Sequence, residues 1–185
     1  PSRKLKVFGV TGTNGKTTTA TLLYKLFRLL GFHTALISTI ENKIDEETFP
    51  ATHTTPNPVT LASFLDQAVA RDCAYAFMEC SSHAIDQKRV WGLEFTGAIF
   101  TNLTHDHLDY HKTIEAYAGA KKQLFDVLPE NSFAVANQDD TKSVYILSET
   151  KAKKYFFSLK DASLKQSMDG LAIPYDGHII QTKLI

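Results

Sequence analysis

Cysteine is scarce in these 185 residues, and both copies, Cys73 and Cys80, fall in one apolar run, "CAYAFMEC". A secreted, disulfide-framed domain needs more cysteines, set in loops, so both read as reduced thiols in or near a core strand. Surplus charge is also missing, because 20 Lys and Arg balance 20 Asp and Glu. A nucleic-acid binder ordinarily carries a basic excess, so the balance argues against such a partner. No apolar stretch reaches the length of a membrane span. The start, "PSRKLKVFGV", is no secretory signal, because its apolar residues lead straight into a glycine loop. A cytoplasmic protein is therefore expected, with neither membrane nor nucleic acid as partner. The first residue is Pro1 rather than Met, which suits an excised or processed piece. Repeats and low-complexity tracts are lacking too, and the length suits one domain.

What is present is an alternation of apolar runs and helical patterns. "LKVFGVT", "HTALIST", "AYAFMEC", "FTGAIFTN", "SFAVANQ" and "KKYFFSL" read as strands. Helical spacing predicts helices over 16–30, over "PVTLASFLDQAVARD", over 114–128 with Thr113 as cap and Glu115 in the first turn, and over 139–149. "ENKIDEETFPATHTTPNP" is polar and holds three prolines, so a long loop is expected there. The alternation predicts an α/β fold, a mostly parallel sheet flanked by helices. In the tail, two apolar runs flank Tyr175-Asp176-Gly177, which suggests a β-hairpin.

Between the first strand and the first helix stands "GVTGTNGKTTT". In a phosphate-binding loop, backbone N–H groups wrap phosphates, Lys reaches the terminal ones and a Ser or Thr hydroxyl ligates Mg²⁺. Gly15-Lys16-Thr17 matches the end of that motif, but Val10 stands where its first Gly belongs, with glycines at 9, 12 and 15 instead. No Asn-Lys-x-Asp segment for reading guanine accompanies it, which weakens a GTPase reading.

Two further segments end strands. Glu79 closes the run Ala-Tyr-Ala-Phe-Met at the end where doubly wound sheets bind ligands. It needs a partner, either Mg²⁺ shared with Thr17 or a cation in a structural ion pair. "FTNLTHDHLDYHK" then packs His105, Asp106, His107, Asp109 and His111 together. That spacing admits a zinc site, a second Mg²⁺ or Mn²⁺ beside a nucleotide, or a plain polar loop.

"GVTGTNGKTTT", "MECSSH" and "TNLTHDHLDYH…AKKQLF", in this order and spacing, resemble the Mur ligases. These ATP-dependent enzymes add amino acids to the UDP-N-acetylmuramoyl precursor of peptidoglycan. "HTTPN", "SSHAIDQKR" and "DHLDYH" are most similar to the branch that extends UDP-N-acetylmuramoyl-L-alanyl-D-glutamate (MurE-type). The resemblance implies a P-loop-like central ATP-binding domain over 1–160, with 161–185 as a β-hairpin part of it. It implies that ATP phosphorylates a substrate carboxylate and that an amine then attacks the acyl phosphate. Lys16 would hold the β- and γ-phosphates, in a cradle shaped by Gly12, Thr13, Asn14 and Gly15, with Thr18 touching phosphate at most. Thr17 and Glu79 would bind one Mg²⁺ and His107 the second. Lys121 matches the family's carbamylated lysine, which approaches Mg²⁺ as an anion, and the adjacent Lys122 is a rival for that role. Thr54, Thr55, Ser81, Gln87 and Arg89 match positions that contact the UDP-muramoyl-dipeptide.

The family's N-terminal uridine-nucleotide domain and its C-terminal amino-acid-binding domain have no counterpart here. Ligation by these residues alone is therefore not expected, and ATP binding should be weak. The sequence leaves open whether meso-diaminopimelate or L-lysine is added. A folylpolyglutamate- or cyanophycin-type ligase, and a non-catalytic nucleotide-binding module, stay open as alternatives.

Overall fold

The computed structural model describes residues 1–51 and 53–158, and the backbone of strands at 165–167, 170–175 and 178–182. The first unit follows the expected order: β1 (Lys6–Thr11), α1 (Lys16–Leu29) and β2 (Thr34–Ile37). After α2 (Pro58–Ala70) come β5 (Tyr75–Glu79), α3 (Ser82–Asp86) and β6 (Phe95–Phe100). Then follow α4 (Leu108–His111), α5 (Ile114–Asp126), β7 (Phe133–Asn137), α6 (Ser143–Ile146) and β8 (Lys153–Phe157). Strands β2, β5, β1, β6, β7 and β8 pair in parallel in that order. The expected α/β fold is what forms.

The stretch expected as one long loop is different. Its first part folds as β3 (Glu41–Ile44) and β4 (Glu47–Pro50), an antiparallel hairpin added to the edge of the sheet beside β2. The turn has no glycine. Asp45 takes the positive φ of 49° itself, and tertiary contacts hold it there. Its carboxylate accepts from Arg28 Nη1 at 2.9 Å and from the Thr34 N–H at 3.0 Å, and it meets His33 Nδ1 at 2.7 Å. The helix expected over 139–149 shrinks to the single turn of α6. Side chains capture the turn before it: Asn137 Oδ1 accepts from the Asp139 N–H, and Asp140 accepts from the Lys142 and Leu103 N–H groups. Such local bonds compete with helix. In the tail, β9 (Lys165–Ser167), β10 (Gly170–Tyr175) and β11 (His178–Thr182) form a separate antiparallel sheet, with β10 and β11 pairing from Tyr175↔His178. Asp176 and Gly177 of the expected turn, and the 160/161 boundary, lie outside the described residues.

Parallel strands buried on both faces need apolar residues throughout. In β5, Ala76 and Met78 pack with α2 and α5 on one face, while Phe77 packs with α1 residues on the other. Right-handed crossovers decide this distribution. The connections through α2, α5 and α6 all step across the sheet in one direction, and only β1–α1–β2 steps back. Beside α1, the sheet therefore keeps an apolar hollow of about 190 Å³ lined by Phe8, Leu23, Ile99, Phe133 and Tyr155. The reversal falls between β1 and β6, whose following loops start at opposite sides of one crevice. That is where doubly wound sheets bind ligands.

Candidate functional site

Four strand ends build the site. The loop after β1 supplies Gly12 to Gly15, the end of β5 supplies Glu79, the residues after β6 supply the histidine loop, and those after β2 supply Thr39. A cleft of about 140 Å³ is lined by Lys16, Thr17, Thr39, Thr54, Glu79, Ser81, Ser82, His107, Tyr117 and Lys121. A larger hollow of about 260 Å³ lies beside Trp91 and Leu124, but its one charged lining residue is Lys88.

The phosphate-loop geometry comes from two glycines and an uncapped helix. Gly15, at φ 84°, is the residue before α1, and no side chain caps that helix. By contrast α2 and α5 are capped by Asn57 and Thr113, each accepting from N–H groups of the first turn. The first N–H groups of α1 are thus left for an external acceptor, the arrangement that suits an anion. At Gly12 a Cβ would lie 1.9 Å from Thr101 Oγ1, so only glycine fits. The Lys16 ammonium donates to the carbonyls of Gly12 at 3.0 Å and Thr13 at 2.8 Å. Burial lowers its pKa, with Glu79 and Asp106 opposing the shift.

The loop after β6 is sewn onto this loop. Asn102 Oδ1 accepts from the Asn14 N–H at 3.0 Å, and Asn102 Nδ2 donates to the Asn14 carbonyl at 3.0 Å. The Thr13 N–H donates to the Asn102 carbonyl at 2.8 Å, and Thr104 N–H donates to Thr13 Oγ1 at 2.9 Å. The Thr13 and Asn14 residues expected in the phosphate cradle are thus also the seam between the two loops.

Glu79 is fully buried. Its carboxylate accepts from the Thr39 N–H at 2.7 Å and the Thr39 hydroxyl at 3.2 Å. These partners are neutral and leave lone pairs toward the cleft, where Lys16 and Thr17 lie. A hydroxyl, a carboxylate and phosphate oxygens are the donor set that Mg²⁺ prefers; His107, with a ring nitrogen, adds a ligand type that Mn²⁺ also accepts.

The histidine-rich loop does not gather around one point. His107 faces the cleft, whereas His111 is buried with Nε2 2.9 Å from Ser82 Oγ. His105 is exposed. Among the described residues no three His, Cys, Asp or Glu groups converge to hold a metal ion. The zinc reading therefore lacks a ligand set.

The two neighbouring lysines separate cleanly. Lys122 pairs with Asp126 at 2.7 Å and Glu149 at 3.4 Å; burial works against its charge, but these partners outweigh it and raise its pKa. Lys121 is 1% exposed, donates to the Gly12 carbonyl at 2.8 Å and lies 4.3 Å from the Tyr117 ring centre. Burial, together with the charge of Lys16, pulls its pKa down to about 7, and Asp106 and Cys80 oppose that shift without cancelling it.

A family model described as the Mur ligase middle domain matches residues 10–183. The chain belongs to the Mur ligase family. It is 49% identical, over its whole length, to a UDP-N-acetylmuramoyl-L-alanyl-D-glutamate–2,6-diaminopimelate ligase of Bacteroides fragilis, of which it covers 39%. With a ligase of the same name from Parabacteroides distasonis it shares 58% identity over 86% of this chain and 33% of that one. The chain thus spans between a third and two fifths of these relatives. A solved ligase of that name superposes with a TM-score of 0.82 at 32% identity, over 91% of this chain and 36% of the other. A Mycobacterium tuberculosis folylpolyglutamate synthase complexed with ADP superposes at 0.70 and 18% identity, over 94% and 47% of the two chains; that likeness shows the fold alone.

Of the residues carried over from the Mur ligases, Lys16, Thr17, Thr54, Glu79, Ser81, His107 and Lys121 line the one cleft. Thr18 is exposed on α1. Thr55 is buried, with its hydroxyl donating to the Glu79 carbonyl at 2.8 Å, so it shapes the cleft from behind. Gln87 and Arg89 lie outside the lining, at the exit of α3. Thr39, Asn102 and Tyr117 were not singled out from the sequence. Each acts through a partner distant in the chain, and a lone Thr, Asn or Tyr carries no spacing signal. The run Thr101-Asn102 directly after a strand end is the one local hint.

Proposed function

We propose that this chain is the nucleotide-binding and metal-binding part of an ATP-dependent ligase that extends UDP-N-acetylmuramoyl-L-alanyl-D-glutamate with 2,6-diaminopimelate. The observation that carries the reading is the meeting of Lys16, Thr17, Glu79, His107 and Lys121 around one cleft at the sheet's switch point. The amino acid is taken from the names of the relatives that are 49% and 58% identical.

In this reading the substrate carboxylate attacks the γ-phosphorus of ATP and ADP leaves. The amine then attacks the acyl carbon, phosphate leaves, and the amine loses a proton. Lys16 exchanges the Gly12 and Thr13 carbonyls for the β- and γ-phosphates, and the open N-terminus of α1 adds N–H donors. Thr17, Glu79 and His107 would hold Mg²⁺, which neutralises phosphate charge when bound. Lys121 supports the carbamylation reading because an amine with a pKa of about 7 is largely free to add CO₂ at mild alkaline pH. The amine nitrogen bonds to the carbon of CO₂ and releases one proton, leaving an anion where an ammonium stood. Thr54, Ser81 and Arg89 would border the peptide end of the acidic substrate, with Thr55 supporting the cleft from behind.

The test is ADP release and amide formation by the full-length protein carrying this chain, with ATP, Mg²⁺ and the UDP-muramoyl-dipeptide. Product with 2,6-diaminopimelate and none with L-lysine is expected. Turnover of a folate with glutamate would overturn the assignment, and ATP binding without any amide product would favour the non-catalytic module. Intact mass in bicarbonate should show one carboxyl adduct, absent from Lys121→Met.

A further inference from the structure

Gln87 and Arg89 follow α3, and the amide of Gln87 is engaged at both ends. Its Oε1 accepts from Arg89 Nε at 3.0 Å and from Arg89 Nη2. Its Nε2 lies 3.3 Å from the hydroxyl of Tyr110, a residue of α4. That hydroxyl donates its one proton to Asp86 Oδ2, at 2.8 Å. It can therefore only accept from Gln87, which fixes the amide's orientation. A flipped amide would set NH₂ against the guanidinium and C=O against a hydroxyl whose proton Asp86 already holds. Arg89 is held from a second side as well, because its Nη1 donates to the Thr55 carbonyl at 3.2 Å. The other N–H groups of the guanidinium stay available for an oxyanion.

Tyr110 itself is anchored. Its ring packs 4.2 Å from that of His83 on α3 and 4.7 Å from that of His111, and His83 in turn meets His107 edge-on at 4.9 Å. The metal-side helix α4 is thereby braced against the segment that carries Arg89. From this geometry we infer that Tyr110 and Gln87 are positioning residues: the polar chain Asp86–Tyr110–Gln87 aims Arg89 at an oxyanion of the acidic substrate. Gln87, matched by resemblance to a substrate-contacting position, also holds Arg89 in place. The nature of that substrate rests on the ligase reading above; the aiming of Arg89 does not.

The test uses the full-length protein. Tyr110→Phe removes one neutral hydroxyl and keeps the ring packing, so KM for the UDP-muramoyl-dipeptide should rise about fivefold, with KM for ATP unchanged. Gln87→Leu should do the same. The double variant should be no worse than Gln87→Leu alone, because both break one chain. Gln87→Glu should recover part of the loss seen in Gln87→Leu, since its carboxylate still accepts from Arg89 although it no longer donates to Tyr110. An unchanged KM in Tyr110→Phe, a parallel rise for ATP, or additive effects in the double variant would overturn the inference. The Arg89 Nε–H resonance in ¹⁵N-labelled protein gives a second measure. It should be slow to exchange in the native protein and fast in Tyr110→Phe, and equal exchange would overturn the positioning role. A native protein without ligase turnover would refute the functional reading, and the resonance would still decide the role of Tyr110.

Discussion

Lys121→Met should change the way stability depends on pH. In the unfolded chain this lysine keeps its proton up to about pH 10.5, whereas in the fold burial and the charge of Lys16 bring its pKa to about 7. Between those values the unfolded state binds more protons, so stability rises with pH there. Below about pH 7 folding carries the whole cost of a buried cation. At about 1.4 kcal/mol per pH unit, and with half-titration near 7, going from pH 6.5 to 8.5 should stabilise the native chain by about 2 kcal/mol. Methionine nearly matches the length of lysine without its charge, and the Gly12 carbonyl keeps Lys16 as donor. The variant should therefore be at least as stable as the native chain at pH 6.5 and lose that advantage by pH 8.5. Lys16, whose pKa burial also lowers, contributes the same sign to both proteins and largely cancels. The range ends at 8.5 because Cys73, raised by burial to about 11, reverses the trend once its unfolded thiol ionises. Urea unfolding followed by circular dichroism, in CO₂-free buffer so that the amine stays unmodified, measures the difference. Parallel pH profiles for the two proteins would refute the reasoning.

Two further substitutions probe the seam between the loops. Gly12→Ala should cost more than about 3 kcal/mol in denaturant unfolding, because its Cβ would meet Thr101 Oγ1 at 1.9 Å and that hydroxyl is tied to the Asn14 carbonyl at 2.7 Å; adding Thr101→Ala should recover part of the loss. Asn102→Ala removes both amide bonds to Asn14 and should cost about 1–3 kcal/mol and weaken ATP binding at least tenfold by calorimetry, an unchanged affinity arguing against a clamp.

The inner parallel strands were legible because burial on both faces leaves apolar runs bounded by turn residues, whereas β8, at the sheet edge, is exposed throughout and was legible from its aromatic run alone. Thr113 was legible as a cap because capping is local: its hydroxyl accepts from the Ala116 N–H, three residues on. The β3–β4 hairpin was not legible. Its turn residue Asp45 is held at positive φ by Arg28, His33 and Thr34, and along β3 only Asn42 and Ile44 are buried. A polar run with no turn glycine looks like a loop when the partners that fold it lie elsewhere. Helices α3 and α4, of five and four residues, are too short to show a helical period.

The same division runs through the site. Glycine, lysine and glutamate at strand ends announce themselves, because their backbone freedom or charge is costly without a purpose. What the sequence left open was which charged group has company. Lys121 and Lys122 are adjacent and both largely buried, and no property of either residue ranks them. The helix does so through its phase. One turn on from Lys122 stands Asp126, with Glu149 across from it, so that charge is satisfied and raised. Lys121, a residue earlier, points at the Gly12 carbonyl that Lys16 already uses. Two cations sharing one neutral acceptor is an arrangement that folding alone has no reason to favour. It becomes favourable once one of them is discharged or turned into an anion, or once phosphates arrive to draw Lys16 away. Half-buried Lys16 and buried Lys121 therefore fit the chemistry proposed for the cleft better than the stability of the fold alone.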